Sequence, residues 1–168
     1  SVEKFMKYKN FTIHMPDYCD PSSIIDFFSN DKILRTKSID ILNKTIKIAQ
    51  LISSVNTKTI NIIVSLAKLN SKEDRFTYYK KIKNLVRKIK KKYNINLFPQ
   101  WLPSKAWYFG GSMDTEAFSN PNDLSFIKKI KLNLCLDISH FILSCNFHKV
   151  NKRIFFFNHM SIFKHYHL

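Results

Sequence analysis

Residues 132–141 read LNLCLDISHF, and the fold turns on how that stretch is parsed. A mostly apolar run ends at Asp137, and His140 follows three residues later. A short Leu-rich run of this kind has the character of a buried parallel strand. Asp-x-x-His at a strand end is one way to hold a metal or a proton; the plainer alternative is a strand end with a polar cap. Four more stretches share the pattern: FTIHMP (11–16), TINIIVSLA (59–67), INLFP (95–99) and IFKHYHL (162–168). Between the first three lie two helical spacings. One puts Ile39, Leu42, Ile46, Ala49 and Ile52 on a single face; the other does so for Tyr79, Ile82, Val86, Ile89 and Tyr93. Pro121-Asn122-Asp123 opens a third helix reaching about Lys131, and a weaker segment covers 151–157. Strands alternating with helices predict β/α units around a parallel sheet. No boundary or repeat interrupts residues 1–168, which read as one domain.

Bulk properties narrow the classes. Lys and Arg number 28 against 12 Asp and Glu, a net charge of +16 that points toward nucleic acid or another anionic surface. Only four of those cations are arginine, the better fork for phosphates and bases. The crowding of Ile, Asn, Lys and Phe has the look of compositional bias, so the charge reads mainly as a solvated surface. Cys19, Cys135 and Cys145 form no C-x-x-C pair, and an odd set of three argues for a reducing, cytoplasmic setting without disulfides. No apolar run has membrane length and no signal peptide opens the chain. The missing initiator Met and the strand-like end FKHYHL give the expectation of a truncated domain, with open sheet edges that favour self-association.

The connection from Pro99 to Asn120 holds both tryptophans, Trp101 and Trp107, and the only glycines, Gly110 and Gly111. Long loops in compact domains usually serve function, and Trp101, Trp107 and Tyr108 are candidates to wall a pocket or, alternatively, to cover one end of the core. Chemistry in parallel β/α sheets gathers at the carboxyl ends of strands. Those ends carry His14 with Asp17 after it, Ser65, Gln100, Asp137 with His140, and His165 with His167. Asp, His and a carbonyl oxygen suit Zn, Mn, Co or Fe. A structural, hydrogen-bonded histidine is the alternative at each position. No glycine elbow accompanies Ser139, and no phosphate loop is present.

These residues resemble the xylose-isomerase-like TIM barrels, which include sugar-phosphate isomerases and epimerases and the endonuclease-IV-type nucleases of abasic DNA. CLDISH resembles the family's Asp-x-x-His strand, FTIHMP the strand with a site histidine, and FKHYHL the later histidine strand. The resemblance implies a partial (β/α)8 TIM barrel with about five parallel strands. It implies a divalent metal (Mn, Zn, Co or Mg) on Asp137, His167 and Gln100. It implies His14 and His140 in catalysis, and Trp101, Trp107, Tyr108 and His165 around a sugar or sugar-phosphate. Gln100 stands where the family pattern has a glutamate, and the chain's three glutamates (Glu3, Glu73, Glu116) lie away from strand ends. The expected activity is a sugar isomerase or epimerase, with surface-polysaccharide or sialic-acid-type metabolism as context. The alternatives are an abasic-site nuclease, in which nucleic acid would be the partner, and a non-catalytic remnant.

Overall fold

A computed structural model describes residues 11–56, 59–68 and 73–167. The expectations drawn from Ser1 and Leu168 lie outside the described residues. In chain order the elements are β1 (Thr12–His14), β2 (Tyr18–Asp20), β3 (Ser23–Ile24), α1 (Lys32–Asn56), β4 (Asn61–Val64), α2 (Arg75–Tyr93), β5 (Asn96–Pro99), β6 (Lys105–Tyr108), β7 (Gly111–Asp114), α3 (Leu124–Lys129), β8 (Leu134–Asp137), α4 (Ile138–Phe147), α5 (Lys152–His159) and β9 (Phe163–His167). Short 3-10 turns precede α3 and β9.

The strands fall into four sheets: parallel β1-β4-β5, parallel β8-β9, and the antiparallel hairpins β2-β3 and β6-β7. One parallel bridge, Gln100 to Cys135, joins the two parallel sheets. This corrects the expected partial (β/α)8 TIM barrel. Among the described residues the parallel ladder is split three and two and does not close, and two of the four sheets are antiparallel. The physical reason is that alternating strand and helix periodicities report local order only. Closure requires a continuous, staggered ladder that such patterns do not encode. The Pro99–Asn120 connection is also not a plain loop. Phe109 (φ 54°) and Gly110 (φ 75°) form a two-residue turn between β6 and β7, both with positive φ, as a twisted hairpin demands.

Each long helix begins with a side-chain cap. Asp31 Oδ1 accepts from the amides of Ile33 and Leu34 at 2.8 and 3.3 Å, and Asp74 caps α2 through Phe76 and Thr77. α2 ends at Asn94 in the left-handed region (φ 54°), with basic Lys90–Lys92 in its last turn. The buried stripe of α1 is Leu42, Ile46 and Ala49, with Ser38 and Thr45, whereas Ile39 is 40% exposed. Ser38 takes the inward place, its hydroxyl donating to Leu34 O, accepting from the Asp26 amide and lying 3.1 Å from Cys19 Sγ. α4 carries no clear amphipathic period, because Ile142, Leu143 and Phe147 are exposed while Ser144 is buried.

The parallel strands are two-sided. Ile62, Val64, Leu97, Leu134 and Leu136 join the main core, while Ile63, Phe98 and Cys135 form a separate small cluster on the other face. Towards the amino-terminal ends on that second face, Asn96 Nδ2 donates to Asn61 Oδ1 at 2.8 Å. The carboxyl ends carry the polar groups described below.

Beneath the helices, Asp123 is 1% exposed. Tyr79 Oη donates to its Oδ2 at 2.8 Å and accepts from the Phe118 amide at 3.2 Å, and Arg75 Nε lies 2.9 Å from Oδ1. Burial pushes the Asp123 carboxyl up from its ordinary value despite the Tyr79 hydrogen bond and the Arg75 charge. Tyr79→Phe therefore removes two hydrogen bonds and strands a buried carboxylate oxygen. It is expected to cost about 1–3 kcal/mol, read as a lower urea midpoint at unchanged m-value.

Candidate functional site

The register of β9 builds the site. Leu134 pairs with Phe163, both in the main core, and the ladder then shifts by one residue so that Cys135 pairs with His165 and Asp137 with His167. Strict alternation would put His165 and His167 on the same face as Phe163. The shift passes over Lys164 and turns both imidazoles onto the face of Cys135 and Asp137. His167 stacks on His14 of β1, ring centroids 5.7 Å apart, and meets His165 edge-on at 5.3 Å.

Asp137 serves both as a polar cap and as a pocket group. Asp137 is the N-cap of α4. Its Oδ1 accepts from the His140 amide at 3.0 Å and from Ser139 Oγ at 2.6 Å. Its Oδ2 is turned toward other groups, with Gln100 Nε2 at 3.4 Å and His140 Nδ1 at 3.5 Å. Burial opposes the ionised Asp137, but the Ser139 and His140 hydrogen bonds and the neighbouring imidazoles hold its carboxyl below the ordinary 3.8. Gln100, 4% exposed, links the strands: its Oε1 faces His14 Nε2 at 2.7 Å and accepts from Ser65 Oγ at 3.4 Å. The other nitrogen of His14 lies 2.9 Å from Met15 O. His140 Nδ1 also approaches Trp101 O at 3.3 Å.

His14, Ser65, Gln100, Asp137, His140 and His167 line one pocket of about 620 Å³, together with Asp17, Tyr18, Lys105, Trp107 and Tyr108. Trp107 is 72% exposed, and Tyr18, Tyr108 and Phe109 form an aromatic edge with centroid separations of 5.2–6.4 Å. Trp101 is elsewhere. It is fully buried against Phe141, at 6.0 Å, so it packs the core instead of walling the pocket. His165 is not among the pocket's lining residues but lies beside His167 beneath it. Asp17 was underrated in the sequence: its Oδ1 is buried without a partner among the described residues. The only sequence signal for it was its place three residues after His14.

A divalent ion on Asp137, His167 and Gln100 fits in part. Asp137 Oδ2 carries only long contacts, and burial, followed by the charge of His14, lowers the affinity of His167 for a proton. Gln100 presents its amide nitrogen to Asp137, and its oxygen is engaged by His14 and Ser65, so it would have to turn to ligate. A second donor group is compact: the ligand atoms of Cys135, His165 and His167 all lie within 4.8 Å of one another. A basic cleft lined by Lys83, Arg87, Lys90 and Lys91 reaches Asn96 and Asn133, at the amino-terminal ends of β5 and β8. It is remote from this pocket in the strand direction. No helix of the described residues is long and apolar enough to cross a membrane.

The chain is similar to the crystal structure of the 3-keto-D-glucoside 4-epimerase YcjR from E. coli in its apo form, with a TM-score of 0.54 and 12% identity over 94% of this chain. It spans 57% of that epimerase's length. At this identity the likeness is one of fold. No protein-family model matches the sequence, and no curated protein matches it. The resemblance to xylose-isomerase-like TIM barrels is therefore corrected: no family match supports it, and the strands fall into separate sheets. Its most specific motif, Asp-x-x-His, has a local cause as well, since a capping aspartate accepts from the amide three residues on.

Two outcomes test this geometry. Asp137→Ala should cost about 1 kcal/mol through loss of the cap, and Asp137→Asn only roughly a few tenths, because asparagine caps nearly as well. The depressed carboxyl contributes stability that is present above 3.8 and lost as pH falls through its lower folded value. Melts below that pH should show this loss in wild type and not in Asp137→Asn. Separately, a ligand entering the pocket should perturb Trp107 emission, and the response should vanish in Trp107→Phe while buried Trp101 continues to emit.

Proposed function

We propose that the pocket binds a small keto-sugar and inverts a carbon next to its ketone by proton transfer, as a sugar epimerase does. The observation that carries this reading is the Asp137–His140 pair inside an aromatic-edged pocket. Asp137 Oδ2 and Trp101 O both lie near His140 Nδ1, which favours the tautomer with its proton on Nδ1. Nε2 then carries the lone pair and has no protein partner among the described residues. It is the base that takes the proton from the carbon adjacent to the ketone, and the freed electron pair moves onto the carbonyl oxygen. Return of a proton to the opposite face completes the inversion, and Asp17, which also lines the pocket, is the group we assign to that face.

His14 and Gln100 hold each other at 2.7 Å and fix the pocket floor. Trp107 and Tyr108 offer ring faces and edges to the apolar side of a sugar. A divalent ion of the Mn, Zn, Co or Mg kind, where bound near Asp137 and His167, would polarise vicinal sugar oxygens. The shared fold with a sugar epimerase supports the substrate class. Lys83, Arg87, Lys90 and Lys91 cluster in a cleft at the other end of the strands, so that part of the +16 charge does not serve an abasic-site nuclease at this pocket.

The test is proton exchange in heavy water with a 3-keto-glucoside, followed by NMR. Deuterium should enter at the carbon next to the ketone, and the epimer should appear. His140→Gln should slow both by about 10²–10⁴-fold. Exchange no faster than in buffer would overturn the reading.

A further inference from the structure

The cluster beneath the pocket floor has a different chemistry from the pocket itself. Cys135 is fully buried at the centre of β8, and its register partner across the parallel ladder is His165. His167 follows two residues on and faces the same side because of the register shift. A buried cysteine among Ile63 and Phe98 would ordinarily be a small core residue. Two half-buried imidazoles beside it are not core residues, and all three donor atoms fall within 4.8 Å.

We infer that Cys135, His165 and His167 form a thiolate–imidazole metal site for a Zn2+- or Co2+-class ion. Tetrahedral zinc, with metal–sulfur about 2.3 Å and metal–nitrogen about 2.0–2.1 Å, places its ligand atoms roughly 3.3–3.7 Å apart. The ligand atoms now lie within 4.8 Å of one another, wider than that shell, so binding draws the side chains together. A sulfur with two ring nitrogens selects borderline and soft ions over Mg2+ and Ca2+, which prefer all-oxygen shells. When the ion binds, the sulfur–metal bond replaces the thiol S–H bond and the proton passes to solvent. Three protein ligands leave the fourth tetrahedral position for water or a ligand oxygen, and His167 connects the site to the pocket. Asp137 and Gln100 are not required. The assignment stands apart from the epimerase reading, since it concerns ion binding alone.

The experiment is titration of Co2+ into the full chain, kept reduced with a phosphine and followed by absorption. One equivalent should produce a thiolate-to-cobalt charge-transfer band and tetrahedral visible bands. Zn2+ should abolish both, and excess Mg2+ should leave them. Asp137→Asn should retain the band; Cys135→Ser should lose it, and His165→Gln should weaken Co2+ binding by more than about tenfold. Absence of the band in wild type, or its persistence in Cys135→Ser, overturns the site. Far-ultraviolet circular dichroism checks that each variant folds. If Cys135→Ser does not, His165→Gln decides, and unchanged Co2+ affinity there overturns the inference.

Discussion

Everything at the site depends on which side of a strand a residue faces, and that is fixed by a period of two with one interruption. Along β4, β5 and β8 the odd–even alternation sends Ile62, Val64, Leu97, Leu134 and Leu136 into the main core and leaves Ile63, Phe98, Gln100, Cys135 and Asp137 on the other face. In β9 the same rule would bury two histidines with Phe163. The one-residue shift between Leu134 and Cys135 prevents it. Burying two unpaired imidazoles in an apolar core would cost more than a local disruption of the ladder, so the sequence Phe-Lys-His-Tyr-His is compatible with this fold only through that shift.

Asp137 then couples local structure to chemistry. One oxygen starts α4 and the other faces Gln100 and His140, so the carboxylate is oriented by its own helix before anything binds. The cap fixes the backbone of Ile138 to His140, and that in turn aims the imidazole. Gln100 relays the arrangement to β1 through His14, giving a chain of polar contacts across three strands. Such a network is stable when its members are satisfied; Asp17 lines the same pocket outside it, with a buried Oδ1 that has no partner among the described residues.

The sequence revealed which residues lie at strand ends far better than it revealed how the strands assemble. The five apolar stretches carry β1, β4, β5, β8 and β9, because short Ile- and Leu-rich runs have little choice but burial. Their division into separate sheets was not legible, since pairing is decided by contacts between distant segments. The hairpin β6-β7 is masked in the sequence because the aromatic residues flanking Phe-Gly-Gly interrupt strand alternation and read equally as a binding loop. Trp101 shows the limit of composition arguments: two tryptophans six residues apart have opposite fates, one fully buried and one 72% exposed. The register shift in β9 leaves no mark in the sequence beyond a lysine between Phe163 and His165.

The β6-β7 hairpin has its own small footing. Tyr108 and Met113 pack on Ile24, Ala67 and Leu102, a cluster separate from the main core. Two strands without a third strand neighbour rest on their mutual hydrogen bonds, that patch, the Tyr18 ring against Tyr108 and Phe109, and Lys105 over the Phe147 ring. Lifting the hairpin away therefore leaves the main core intact, and the free energy for doing so is a fraction of that for unfolding the domain. Its amides are expected to exchange sooner than those of β4 and β5, which lie against the main core. Trp107 and Tyr108 sit on this separately footed hairpin, so the contacts that shape the pocket mouth are largely different from those that hold the main core.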